Sequence, residues 1–220
     1  MKSFFVFAFI ALALSFCGLI SRFVPNSGLT STTQPNSNQA AAGSNSSAKG
    51  AGDKNIEFEK PALTDAQKAF QDGGKEVKWD EQGIAWSLPA SYHKLSQDRN
   101  SFNWIGPDNA AMLINISPLS EDFPVDSSIK ANYDGTVTRM KNGEVEKVRY
   151  LEIDGVRGVE FVEAKKDNKD DSRRYQWLAF RKYAGQTQML NFMLAAKDSA
   201  FEKHLDEFTA IMYSSKIVDK

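Results

Sequence analysis

The feature that most constrains this chain is a break in composition near Gly52. Residues 1–52 contain no Asp or Glu, and their only cationic side chains are Lys2, Arg22 and Lys49. The stretch consists of an apolar run followed by a tract of Ser, Thr, Asn, Gln, Gly and Ala that includes Pro25 and Pro35. Neither part carries the alternating polar and apolar pattern from which a water-soluble core is built. A packed domain must therefore come from residues 56–220, a length suited to one globular unit.

Residues 4–20 form a nearly unbroken apolar run of 17 residues behind Lys2, at the lower end of what spans a bilayer. Three fates are open to it. As a signal anchor it stays inserted, with the α-amino group and Lys2 keeping the N-terminus cytoplasmic. As a cleaved signal peptide it is cut after Ala13-Leu14-Ser15. As a lipoprotein signal it is modified at Cys17, because Leu14-Ser15-Phe16-Cys17 followed by Gly18 resembles a bacterial lipobox, although Phe16 stands where that pattern has a small residue. The expectation is an exported chain held at a membrane by residues 1–23. Residues 24–55 bury too little apolar surface to offset chain entropy and are expected to be a disordered Ser/Asn/Gly/Ala-rich linker. As a Gly/Ser-like coil such a linker spans roughly 30 Å, enough to hold a domain clear of the lipid headgroups on the extracytoplasmic side.

Three of the 27 Lys and Arg lie before residue 53, leaving 24 against 28 Asp and Glu in the remainder. A net acidic domain without clustered basic residues is not built to neutralise phosphates, so nucleic acid is excluded as a partner. Cys17 is the only cysteine, which rules out an intrachain disulfide and cysteine-based zinc or redox sites. His93 and His204 have no carboxylate at a recognisable ligand spacing and read as structural or surface residues. No cofactor and no metal are expected.

The domain reads as α+β. Thr64-Asp65-Ala66-Gln67 has the form of a capping box and opens a short helix that ends at Gly73-Gly74. Strands follow at 84–88, 102–105 and 111–116, the last with Met112, Ile114 and Ile116 alternating with Ala111, Leu113 and Asn115. Asp126 is the expected cap of a helix over 127–140, with Ile129, Tyr133, Val137 and Met140 as its apolar stripe. Four longer strands are predicted at 144–153, 156–165, 173–183 and 187–194. Asp154-Gly155 and Ala184-Gly185 carry hairpin chemistry, as does the tip at 167–171, so these strands are antiparallel neighbours. Ser199 and Glu202 read as the capping box of a C-terminal helix with Phe201, Leu205, Phe208 and Met212 on one face. The architecture expected is a twisted antiparallel β-sheet covered by helices.

The order of these elements resembles the PsbP-like family, which includes an extrinsic photosystem II subunit, a Ran-binding import factor and bacterial envelope lipoproteins. The resemblance covers about residues 82–218. It rests on Gly83-Ile84 through Leu88-Pro89 with Tyr92, on Ile114-Asn115-Ile116, on Ile153-Asp154-Gly155-Val156, and on Phe201 through Phe208 to Ser214-Ser215-Lys216-Ile217. It implies the family's terminal helix, a short exit strand, and a non-catalytic binding or assembly role. These are core and turn residues, so no functional residue is carried over.

No nucleophile elbow, phosphate loop, dinucleotide fingerprint or paired-histidine metal motif is present. Asp167-Asn168-Lys169-Asp170-Asp171 lacks the alternating ligands and terminal Glu of a calcium loop and reads as a solvated tip. Lys165-Lys166 and Arg173-Arg174 flank it and read as a mixed-charge turn. Trp79, Trp86 and Trp104 read as core. The candidate binding residues are Tyr175 and Trp177. In 173–183 they share one strand face with Ala179 and Tyr183, while Leu178 and Phe180 occupy the other. The working expectation places Leu178 and Phe180 in the core and Trp177 on the surface, against a protein partner. A small-ligand or lipid carrier with a pocket between sheet and helices is the alternative.

Overall fold

The computed structural model describes residues 56–218, and the anchor segment, the linker and Cys17 lie outside them. Helix α1 (Asp65–Asp72) begins at the predicted box: Gln67 N–H donates to Thr64 Oγ1 (3.3 Å) and Thr64 N–H to Gln67 Oε1 (3.0 Å). Strands β1 (Lys75–Trp79) and β2 (Ile84–Leu88) pair antiparallel. A two-residue strand near the C-terminus, β10 (Lys216–Ile217), completes a small sheet of order β1-β2-β10. The large sheet contains β3 (His93–Gln97), β4 (Ser101–Ile105), β5 (Ala111–Pro118), β6 (Val145–Ile153), β7 (Val156–Glu163), β8 (Ser172–Tyr183) and β9 (Gln186–Lys197). Its order is β3-β4-β5-β9-β8-β7-β6, with every neighbouring pair antiparallel. Helix α2 (Val125–Lys141) connects β5 to β6, and α3 (Asp198–Tyr213) follows β9 directly. The α+β fold with a mostly antiparallel sheet and helices on it is therefore as expected, including the exit strand.

Both predicted two-residue hairpins use left-handed backbone at both central positions, Asp154 and Gly155 (φ 50° and 81°) and Ala184 and Gly185 (φ 51° and 76°). This is the type I′ geometry, whose twist matches that of the flanking strands. Asp154 has a second role, because its Oδ2 accepts the Ile217 N–H at 2.6 Å and so holds the exit strand.

Three local expectations are corrected. The second helix starts at Val125 behind Pro124, and Asp126 forms no cap but pairs with Arg157 at 2.9 Å. On that helix Thr136 takes the buried position, Met140 is 39% exposed, and in the last turn it is Arg139 that meets the sheet, over the Phe161 ring at 5.4 Å. The C-terminal helix begins two residues early, with Lys197 rather than Ser199 at its N-cap and without a capping box. The Asp198 and Ser199 amides instead donate to the Asp171 and Lys169 carbonyls, and Glu202 is drawn away to Arg173.

One face of the large sheet is covered by α3 and by the small sheet. Trp86 stacks on Phe192 (5.9 Å) and leans on Phe102 (5.1 Å), and Phe208, Ile211 and Met212 join the same cluster as Tyr175, Trp177, Leu190 and Leu194. The other face has a smaller cluster of Ile129, Val159 and Phe180, with Phe123, Tyr133 and Tyr150 around it, where α2 packs on β6, β7 and β8.

Candidate binding surface

The register between β8 and β9 decides which residues face out. Tyr175, Trp177 and Ala179 stand opposite Leu194, Phe192 and Leu190, so the largest apolar side chains of both strands share one face. Burying that area is worth roughly 25 cal/mol per Å², and α3 and the small sheet bury it. Trp177 is 1% exposed and Tyr175 2%, and Trp177 Nε1 donates to the Leu151 carbonyl at 3.3 Å. The expected exposure of Trp177 and Tyr175 is thus corrected, because both are core residues. Phe180 is buried as expected, beneath α2, while Leu178 is only half-buried.

Tyr175 belongs to a buried polar cluster. The Glu160 carboxylate, fully removed from solvent, accepts from the Tyr175 and Tyr213 hydroxyls and from Arg149 Nε, while Arg149 Nη1 donates to Glu59 (2.6 Å) and Nη2 to the Tyr213 hydroxyl. Burial alone pushes the Glu160 carboxyl up, but Arg149 and the two phenols outweigh it and hold it below the usual carboxylate range. Burial, then the Glu160 charge, raises both phenols, which remain neutral donors. A second cluster links His204 Nδ1 to Glu207 (3.3 Å), Glu207 to the Tyr92 hydroxyl (2.7 Å), and His204 Nε2 to Asp108 (3.4 Å), so His204 is structural and buried while His93 is exposed. Arg173 departs from the mixed-charge turn: it is 0% exposed, lies over the Phe201 ring at 4.3 Å, and ties the Glu163 carbonyl to Glu202. The acidic tip is exposed as expected and is knit by Asn168 to Asp171 (3.0 Å). Among the described residues no group of His, Asp and Glu has metal-ligating geometry, and no helix is long and apolar enough to cross a membrane.

Because α2 covers only the β6 to β8 end of its face, the part formed by β4, β5, β9 and the middle of β8 is left partly open. Leu113 pairs with Met193 and Asn115 with Asn191; Asn103 lies beside Leu113, and Gln176 and Leu178 lie beside Met193 and Asn191. Asn115 is exposed and the others are half-buried. None is titratable. Gln176 Nε2 donates to Asn191 Oδ1 (3.0 Å) and Asn103 Nδ2 to Ser96 Oγ (2.9 Å), which fixes these amides among side chains that carry no charge. The signal for this surface in the sequence was the mid-strand asparagines at 103, 115 and 191, a residue type depleted from buried strands.

No family model matches the chain, and no curated protein matches it. Solved structures with a similar fold include LpqN of Mycobacterium tuberculosis, described as involved in cell envelope biogenesis, at 14% identity over 66% of this chain and 85% of that one, with a TM-score of 0.48. A cyanobacterial PsbP protein of Synechocystis is similar at 13% identity over 66% of this chain and 94% of that one, with a TM-score of 0.42. A Bacteroides thetaiotaomicron protein is similar at 10% identity and a TM-score of 0.43, over 67% of this chain but only 50% of that one, so the match spans half of that longer chain. A PsbP protein is thus among the similar structures, as the resemblance in the sequence implies. At these identities the likeness concerns the fold alone.

Proposed function

We propose that this chain is a non-catalytic binding or assembly domain, tethered at a membrane on its extracytoplasmic side by residues 1–23 and 24–55, which engages a protein partner through the open half of its large sheet. The supporting observation is the uncharged surface around Asn115 and Met193, left bare where α2 stops. A face that mixes fixed amides with half-exposed Leu and Met matches the polar-rimmed, charge-poor character of interface centres. The two titratable clusters support a structural rather than a catalytic reading, because their buried members, Glu160 with Tyr175 and His204 with Glu207 and Tyr92, bond one another inside the fold. The packing of Trp86 against Phe102 and Phe192 between sheet and cover supports this reading over the small-ligand or lipid carrier. Beside the small sheet, a cavity of about 260 Å³ is bordered by Gln71, Glu76, Trp86, Ser87 and Lys216, and one of about 280 Å³ by Lys78, Asp80, Ile84, Asp154, Ile217 and Val218.

The test uses the full chain, tagged at its C-terminus and captured from detergent-solubilised native membranes. Asn115→Arg places a charge at an exposed position and is expected to change stability by no more than about 0.5 kcal/mol while abolishing capture of the protein recovered with the wild type. Unchanged capture by Asn115→Arg and by Met193→Arg would move the binding surface elsewhere. The tether is checked separately by intact-mass spectrometry of membrane-extracted protein. The expected result is a chain starting near Met1 or at a diacylated Cys17, and a soluble chain beginning after Ser15 overturns the tether.

A further inference from the structure

The first described residues run along the outer edge of β6. Glu59 N–H donates to the Tyr150 carbonyl (3.1 Å) and Glu152 N–H to the Glu59 carbonyl (2.9 Å), forming a parallel bridge opposite Leu151. Phe58 meets the Tyr150 ring edge-on at 5.4 Å, and the Arg157 guanidinium lies 5.4 Å over the Phe58 ring. The Glu59 carboxylate meets Arg149 at 2.6 Å, and Lys60 meets Glu152 at 3.8 Å. Three residues thus fill three kinds of site at once: strand edge, aromatic seat and guanidinium.

The seat is built more firmly than its occupant. Tyr150 is held by stacking on Tyr133 of α2 at 4.0 Å, and Arg149 is held by Glu160 and Tyr213 whether or not Glu59 is present. The occupant makes two backbone bonds to a strand of nine residues, Phe58 is half-buried, and Glu59 and Lys60 are exposed. A longer extended segment would pair with more of this edge than residues 58–60 do, and a strand edge with unused backbone groups is a template for such pairing.

We propose that the β6 edge is a docking site for an extended segment of a partner protein carrying an aromatic residue followed directly by a carboxylate, and that residues 58–60 are the intrachain strap which such a segment displaces. The aromatic residue takes the seat between Tyr150 and Arg157, and the carboxylate takes Arg149. This surface lies at the α2-covered end of the sheet, so the proposal stands independently of the open face.

The probe is a fluorescent synthetic peptide of residues 56–63, added to the full chain in detergent. Saturable binding is expected to a Phe58→Ser, Glu59→Ser variant, and binding roughly tenfold or more weaker to the wild type, because a tethered strap competes at a high effective concentration. Peptides carrying the same two substitutions should not bind, and Arg157→Ala should weaken binding of the parent peptide. In the wild type, excess peptide should speed hydrogen exchange of the Glu59 amide, which loses Tyr150, while Glu152 stays protected. The proposal falls if the strap variant melts like the wild type and binds no peptide, or if excess peptide leaves Glu59 exchange in the wild type unchanged. A wild-type dimer that the peptide dissolves would identify a second copy as the occupant and would overturn the assignment to a partner.

Discussion

Trp177→Ala should lower the unfolding free energy by about 3 to 5 kcal/mol, the range for truncating a large buried aromatic residue. The side chain lies between Tyr175 and Ala179 on its own strand and stands opposite Phe192, in a core closed by α3 and the small sheet, so the space it leaves cannot be filled by water or by a small shift of neighbours. Trp177→Phe should recover much of the loss, keeping the ring contacts but leaving the Leu151 carbonyl without its indole donor. Equilibrium denaturation in urea reads both. A Trp177→Ala variant within about 1 kcal/mol of the wild type would mean that the residue lies at the surface after all.

Glu160→Ala should cost about 3 kcal/mol or more, because it takes the acceptor from the buried Tyr175 phenol and from the half-buried Tyr213 phenol and Arg149 guanidinium, leaving Arg149 only the exposed Glu59 as a carboxylate partner. The same carboxylate should set part of the acid sensitivity. Its folded pKa lies below the ordinary Glu value of about 4.3. A depressed pKa contributes stability that is fully present above the unfolded value and is lost as pH falls through the folded one. The stability gap between wild type and Glu160→Gln should therefore be constant near neutrality and narrow progressively below about pH 4.3, since a protonated Glu160 presents much the same neutral group. A gap independent of pH down to acid unfolding would show that Glu160 is not ionised in the fold.

Where local chemistry decides structure, the residues were legible. Thr64 and Gln67 cap α1, and Asp154-Gly155 and Ala184-Gly185 make the turns their residue types favour. The apolar alternation of 173–183 and 187–194 marked two long neighbouring strands. By contrast, β1 and β3 were missed. Lys-Glu-Val-Lys-Trp has one buried residue, and His93–Gln97 is exposed throughout, so neither shows the period of two that betrays a half-buried strand. They are strands because β2 and β4 offer them backbone partners. The Ser199 and Glu202 box was a false signal for the same kind of reason: the Lys169 carbonyl takes the Ser199 amide and Arg173 takes the Glu202 carboxylate, both from distant in sequence.

The candidate surface divides along the same line. The amino-acid order alone determined that β8 and β9 carry apolar residues on both faces and that asparagines interrupt β4, β5 and β9. It could not determine which face is covered, because a shift of one residue in register exchanges every side chain between the two. The tertiary structure decided that by aligning Trp177 with Phe192 under α3 and stopping α2 short of Leu113 and Met193. Helix caps and turns are settled by groups a few residues apart, whereas the identity of an exposed face depends on which distant elements bury the larger apolar area, and that competition exists only once the chain has collapsed.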